Sequence, residues 1–252
     1  MLRVLISGCN GHMGQILTQL CMESKDVEIV GGFDLLGREN GAFPVWDSPA
    51  ACTVEGDVVV DFSSPSALPT LLDFGLKRHI PLVLCTTGYT HEQTEAVVKA
   101  SRQIPIFRSA NMSLGINVLS SLVAKAAAAL EGFDVEIVER HHNRKLDAPS
   151  GTALMLAEAA ARGLPYEPIP VYGRSDVRRP RDPHEIGISS VRGGNITGDH
   201  TVIFAGRDEV IELSHSALSR DVFASGALRA ARFLSGQAPG MYSMDDLVKE
   251  II

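Results

Sequence analysis

The first half of the chain alternates short apolar runs with helix-spaced apolar positions. Leu2-Arg3-Val4-Leu5-Ile6-Ser7 is the first run, and Ile16, Leu17, Leu20 and Cys21 then recur at helical spacing. Val27–Phe33, Val58–Phe62, Pro81–Cys85 and Ile104–Phe107 read as further strands. Helices are predicted from a Ser63-Ser64-Pro65-Ser66 cap to about His79, over His91–Arg102 and over Leu114–Leu130, while Leu35–Cys52 reads as irregular. Continuous apolar strands suit a parallel sheet covered on both faces. Repeated strand–helix alternation predicts an α/β fold with a Rossmann-like, doubly wound parallel sheet.

The pattern then changes. Phe133–Val138 alternates apolar and acidic residues, a charged segment follows, and Ala153–Ala160 begins a helix expected over about 152–163. Gly173–His184, with Arg174, Arg178, Arg179 and Arg181 against Asp176 and Asp182, reads as a solvated, mobile loop. Glu185–Arg192, Thr197–Ala205 and Glu209–Ser214 are β-rich with no helix between them, which predicts a second α+β domain with an open, mixed or antiparallel sheet. Asp221–Leu234 is a helical pattern, and the apolar stretch Gly240–Val248 is expected to pack back on the first domain. The expected division is 1–112 with 221–252 as a first domain, and 113–220 as a second. An open apolar sheet needs cover, which points to pairing between subunits.

Composition narrows the functional classes. The 252 residues are 45% hydrophobic and 21% charged, with a net charge of -7. An acidic balance argues against general nucleic-acid binding. No apolar run approaches the roughly 20 residues that span a bilayer. The first residues read as a strand rather than a signal peptide. Cys9, Cys21, Cys52 and Cys85 lack metal-ligand spacing, so reduced thiols in a cytoplasm, and no metal site, are expected.

Two stretches carry candidate chemistry. Gly8-Cys9-Asn10-Gly11-His12-Met13-Gly14 lies between strand and helix, where glycines permit a tight turn and close approach of a pyrophosphate to the helix N-terminus. Asn10 replaces the second glycine of the usual spacing, and a plain tight turn is the competing reading. Asp34 ends the next strand, where a carboxylate accepts hydrogen bonds from an adenosine ribose. That charge favours NADH, nearby Arg38 could offset it, and NADPH stays open. Thr86-Thr87-Gly88 and Ala110-Asn111-Met112 follow other strands and would gather at the same sheet edge, although each alone is an ordinary connection. The second stretch runs from Glu139 to Thr152. His141 and His142 exchange protons near neutral pH. Lys145 adds a positive charge, and Ser150, as N-cap, with Gly151 and Thr152 presents a helix N-terminus suited to an anion. Adjacent histidines or a serine cap alone would be bland; their convergence points to a site.

With these motifs placed, the sequence resembles the 4-hydroxy-tetrahydrodipicolinate reductase (dihydrodipicolinate reductase) family of lysine and diaminopimelate synthesis. The resemblance runs nearly end to end. Its most specific part is His141-His142 through Lys145 and Asp147-Ala148-Pro149-Ser150-Gly151-Thr152, supported by Ser109–Gly115, Arg192-Gly193-Gly194-Asn195, His200-Thr201 and Ser219-Arg220. The resemblance implies NAD(P)H-dependent reduction of a small cyclic imine bearing two carboxylates. It implies His141 as proton donor, Lys145 as second catalytic residue, and His142, Ser150, Gly151 and Thr152 as substrate contacts. Cofactor contacts are implied at Gly8, Cys9, Asn10, Gly11, His12, Met13, Gly14, Asp34, Cys85, Thr86, Thr87, Ser109, Ala110, Asn111 and Met112. NADH, NADPH or both are the implied cofactors, and a homotetramer through the second-domain sheet the implied assembly. The weighed alternatives are another two-domain nicotinamide dehydrogenase and a non-catalytic dinucleotide sensor. The His-His-x-x-Lys run speaks against the first, and the lack of a spare partner-reading segment against the second.

Overall fold

The computed structural model describes residues 1–37, 41–175 and 178–251. Arg38, which bears on cofactor choice, and Asp176 of the arginine-rich segment lie outside the described residues. In chain order the elements are β1 (Leu2–Ser7), α1 (His12–Glu23), β2 (Val27–Phe33), β3 (Val45–Trp46), β4 (Val58–Asp61), α2 (Leu68–Arg78), β5 (Leu82–Leu84), α3 (His91–Ser101), β6 (Pro105–Arg108) and α4 (Leu114–Ala129). There follow β7 (Asp134–His141), α5 (Gly151–Gly163), β8 (Ile169–Val171), β9 (Glu185–Arg192), β10 (Gly198–Ala205), β11 (Val210–Ala217), α6 (Asp221–Leu234), β12 (Gly240–Tyr242) and α7 (Met244–Lys249). The chain forms two compact units, Met1–Leu114 with Asp221–Ile252, and Gly115–Arg220.

In the first unit, seven strands among the described residues pair in parallel in the order β12-β6-β5-β4-β1-β2-β3. Side chains alternate between two cores, as the period of a strand requires. Val4, Ile6, Val58, Val60, Val83 and Phe107 pack with α1, α6 and α7 on one face. Leu5, Val59, Leu82, Leu84 and Ile106 pack with α2 and α3 on the other. This double cover is why these strands read as unbroken apolar runs.

The segment expected to be irregular holds the edge strand β3. Trp46 lies over Gly31, and a Cβ at Gly32 would come within 2.9 Å of the Phe43 ring, so the glycine pair of β2 makes room for these aromatics. The helix expected from Ser63 begins instead as a 3-10 turn, Pro65–Ala67, with α2 following.

In the second unit, five strands among the described residues run β11-β10-β7-β9-β8. The sheet is mixed: β7–β9 and β8–β9 are parallel, while β10 runs antiparallel to both β7 and β11. One face carries Val135, Ile137, Ile186, Ile188, Val202 and Phe204 against α4 and α5. The strand expected to end at Val138 continues to His141, which places His141 on the sheet and not in the charged loop. The strand β8 carried no sequence signal.

The arginine-rich segment corrects the expectation of a solvated, mobile loop. Arg174 and Arg179 both ion-pair with Glu185, which is buried at the start of β9. Arg181 bridges Asp134 at 2.5 Å and Glu136 at 3.1 Å. Glu185 is held down at about 2, chiefly by the Arg174 hydrogen bond. These side chains tie the segment to the ends of β7 and β9.

Candidate active site

In the second unit the site forms where β7 ends and α5 begins. Because Val135 and Ile137 face the helices, strand parity turns Glu139 and His141 inward as well. Glu139 is fully buried, and His141 is only 8% exposed. His141 Nδ1 lies 2.6 Å from Glu139 Oε2. Arg192, at the end of β9, grips the same carboxylate with two guanidinium bonds of 2.7 Å each. Ser150 N–H donates to Glu139 Oε1 at 3.0 Å. Burial alone would raise the Glu139 pKa, but the bonds from Arg192, His141 and Ser190 outweigh it and hold the carboxyl down at about 2.

His200 of β10 meets His141 edge-on, with ring centroids 5.2 Å apart. Its Nε2 lies 3.0 Å from Ser150 Oγ. Burial first, and then the neighbouring His141, push His200 down to about 4, so it is neutral near pH 7. At Gly198 an added Cβ would stand 3.0 Å from His141 Nε2, so this glycine leaves room at the edge of the imidazole.

Ser150 caps α5 as expected, its Oγ accepting from Ala153 N–H at 3.1 Å while its carbonyl accepts from Leu154 N–H. Ser150 is buried, and its hydroxyl is committed to that cap and to His200. Ser150, expected both as the cap and as a substrate contact, is thus placed at the helix start with its hydroxyl facing Ala153 N–H and His200. At Gly151 an added Cβ would meet nothing within 4 Å, which leaves the approach to the first peptide of α5 open. Thr152 is the next residue of the same turn. Lys145 Nζ pairs with Asp147 Oδ1 at 2.8 Å. His142 is half-buried with its Nδ1 enclosed and unbonded; burial and then the Arg144, His141, Arg220 and Lys145 charges lower its pKa.

In the first unit, a parallel sheet delivers the ends of β1, β2, β4, β5 and β6 to one edge. Gly8 takes a positive φ of 73°, and its missing Cβ admits the Phe62 carbonyl, 2.6 Å from where that atom would be. Gly14 presses on the Gly8 carbonyl and joins helix to turn. The N-cap of α1 is Gly11, with no side-chain cap. Asp34 accepts from Asn10 N–H and Leu36 N–H, each at 3.3 Å. A cavity of about 620 Å³ is lined by Gly8, Gly11, Asp34, Leu35, Leu36, Ser63, Ser64, Ser66 and Thr70, among others. The serines after β4, read as helix cap in the sequence, thus belong to the cavity; their place at the end of a parallel strand was the available signal.

The other expected cofactor residues are less uniform. His12, Thr87 and Ala110 are exposed, whereas Met13, Asn10, Cys85, Ser109 and Asn111 are half-buried. The Cys9 and Met112 side chains are buried in the core. Burial, then the Asp34 charge, push the Cys9 thiol up to about 11. The side chains of these two expected cofactor residues therefore face the core and not the end of the sheet. Thr86 Oγ1 donates to buried Asp61 at 2.7 Å, so its hydroxyl pins the loop after β5.

Family models for the N-terminus and the C-terminus of dihydrodipicolinate reductase match residues 2–112 and 115–248. The chain belongs to the dihydrodipicolinate reductase family. It is 55% identical over 250 residues to the 4-hydroxy-tetrahydrodipicolinate reductase of Caldanaerobacter subterraneus subsp. tengcongensis, covering 99% of both chains. The reductase of Clostridium tetani is 49% identical, over 97% of this chain and 96% of its own. Among solved structures, the dipicolinate-bound dihydrodipicolinate reductase from Paenisporosarcina sp. TG-14 superposes with a TM-score of 0.83 at 26% identity, covering 98% of this chain and 99% of that one. In this family setting, the end of β7 with His141, the loop that follows it and the start of α5 lie on the second unit, and the glycine turn, Asp34 and the cavity lie on the first.

Proposed function

We propose that this chain reduces 4-hydroxy-tetrahydrodipicolinate to tetrahydrodipicolinate with loss of water, in lysine and diaminopimelate synthesis, using NADH or NADPH. The observation that carries the reading is His141, ordered by a buried carboxylate, beside an open helix N-terminus that begins with Gly151. One end supplies a proton, and the other binds a carboxylate through backbone N–H groups and the helix dipole.

The first unit fits a nicotinamide dinucleotide. An α1 start with no side-chain cap suits a pyrophosphate. Asp34 at the cavity suits a ribose diol, and the cavity is of the size that ligand sites commonly reach. Gly8, Asn10, Gly11, His12, Met13 and Gly14 would hold the phosphates through backbone, with Thr86, Thr87, Ser109, Ala110 and Asn111 toward the nicotinamide end. When bound, the cofactor supplies the hydride. His141 then protonates the electron-rich ring carbon from Nε2. Lys145 exchanges Asp147 for a substrate carboxylate, Gly151 and Thr152 hold a carboxylate at the α5 start, and His142 donates to the ring substituents. Holding the ring in one pose turns proton delivery into a local, oriented step.

The chain is proposed to act in the cytoplasm; among the described residues no helix is long and apolar enough to cross a membrane. The sheet face of the second unit away from α4 and α5 carries Val191 and Val210, 44% and 59% exposed, and supports pairing with further copies as a homotetramer. The direct test is the fall in nicotinamide absorbance on adding freshly generated substrate, with the product identified by mass. Folded enzyme that binds NADH yet leaves the substrate unreduced would overturn the reading.

A further inference from the structure

Glu139 joins the two halves of the substrate cluster. A carboxylate with no solvent access is costly unless its charge and lone pairs are matched. Here each oxygen carries at least two partners: Oε2 meets His141 Nδ1 and one Arg192 nitrogen, and Oε1 meets Ser150 N–H and the other. Arg192 reaches onward to the Asp147 carbonyl at 2.7 Å, in the loop that carries Lys145.

We infer that Glu139, gripped by Arg192, is the positioning residue for proton transfer, fixing the tautomer of His141 and its place relative to the start of α5. The inference rests on the reading of His141 as proton donor. An ionised carboxylate is an acceptor only, so Nδ1 must carry hydrogen and donate to it. The transferable proton then resides on Nε2, at the edge of the ring that Gly198 leaves clear. Because the same carboxylate anchors Ser150 N–H, it also sets the distance from that proton to the peptide groups that hold a substrate carboxylate. A bidentate guanidinium keeps the carboxylate from rotating, which a single ammonium could not do. A purely structural brace would have no reason to divide one carboxylate between the imidazole and the helix start.

The test compares wild type, Glu139→Gln and Arg192→Lys by steady-state kinetics, NADH titration and ¹⁵N NMR of histidine-labelled protein. Expected for Glu139→Gln are a kcat loss of roughly a hundredfold or more, the scale of general acid catalysis, and a smaller change in KM. NADH affinity is unchanged, and the neutral His141 signal moves from the Nδ1–H toward the Nε2–H form. Arg192→Lys shifts both readouts the same way to a lesser degree. Folded Glu139→Gln with kcat within about threefold of wild type, or with the Nδ1–H form intact, overturns the inference. Should Glu139→Gln not fold, the same two readouts on Arg192→Lys decide it. Absence of turnover by wild type would count against the proposed reaction alone, since the tautomer measurement does not depend on turnover.

Discussion

Single residues set the chemistry, and two of them make separable predictions. Asp34 accepts from the Asn10 and Leu36 N–H groups and places its carboxylate at the cavity. Asp34→Ser is expected to raise kcat/KM for NADPH relative to NADH by roughly tenfold, the effect of about 1.4 kcal/mol; parallel assays with both cofactors read the ratio. Gly198→Ala places a methyl 3.0 Å from His141 Nε2 and is expected to lower kcat by tenfold or more while NADH affinity is kept. An unchanged kcat would show that this edge of the imidazole is not used. His141 itself was legible from the sequence because histidine pairs beside lysine and an anion-ready helix start converge on proton chemistry. Glu139 and Arg192 were not assigned roles. The strand was read as ending at Val138, so the parity that turns Glu139 inward was not applied. Arg192 lies far along the chain, and only the parallel β7–β9 register, which sets Ser190 opposite Glu139 and Arg192 opposite His141, brings it there.

At the scale of elements, apolar pattern gave the sheet strands and main helices because each buries a continuous face. It failed where burial is small or polar. The edge strand β3 and the three-residue β8 bury too little for periodicity to register. The arginine segment was read as solvent-facing because its partners, Glu136, Asp134 and Glu185, sit on other strands. Helix α6 offers a packing test. Gly226 lies directly against the Met112 carbonyl, in the connection from β6 to α4, with no space for a Cβ. Gly226→Ala is expected to destabilise the first unit by roughly 1–3 kcal/mol, as overpacking does. Denaturant unfolding followed with NADH-binding competence would show it; wild-type stability would mean that the helix can move away at no cost.

For the whole molecule, the buried site makes stability depend on pH. The His200 pKa falls from the ordinary 6.5 to about 4 on folding. The unfolded chain therefore binds the proton first, and stability present above pH 6.5 is lost as pH falls toward 4. The loss is of the order of 3 kcal/mol for a shift of this size. The Glu139 carboxyl, held at about 2, adds a further loss below its unfolded value of 4.5. Thermal melting between pH 7.5 and 5 should fall steeply for wild type and less so for His200→Asn; parallel slopes would contradict the account of the buried neutral histidine. The central claim is that His141 delivers the proton to a reduced substrate ring. The measurement that tests it most directly is kcat for His141→Gln against wild type, with NADH affinity and melting temperature recorded on the same preparations. The account predicts that kcat falls by roughly 10² to 10⁴ while cofactor affinity stays the same. Turnover near the wild-type rate by folded His141→Gln would contradict it.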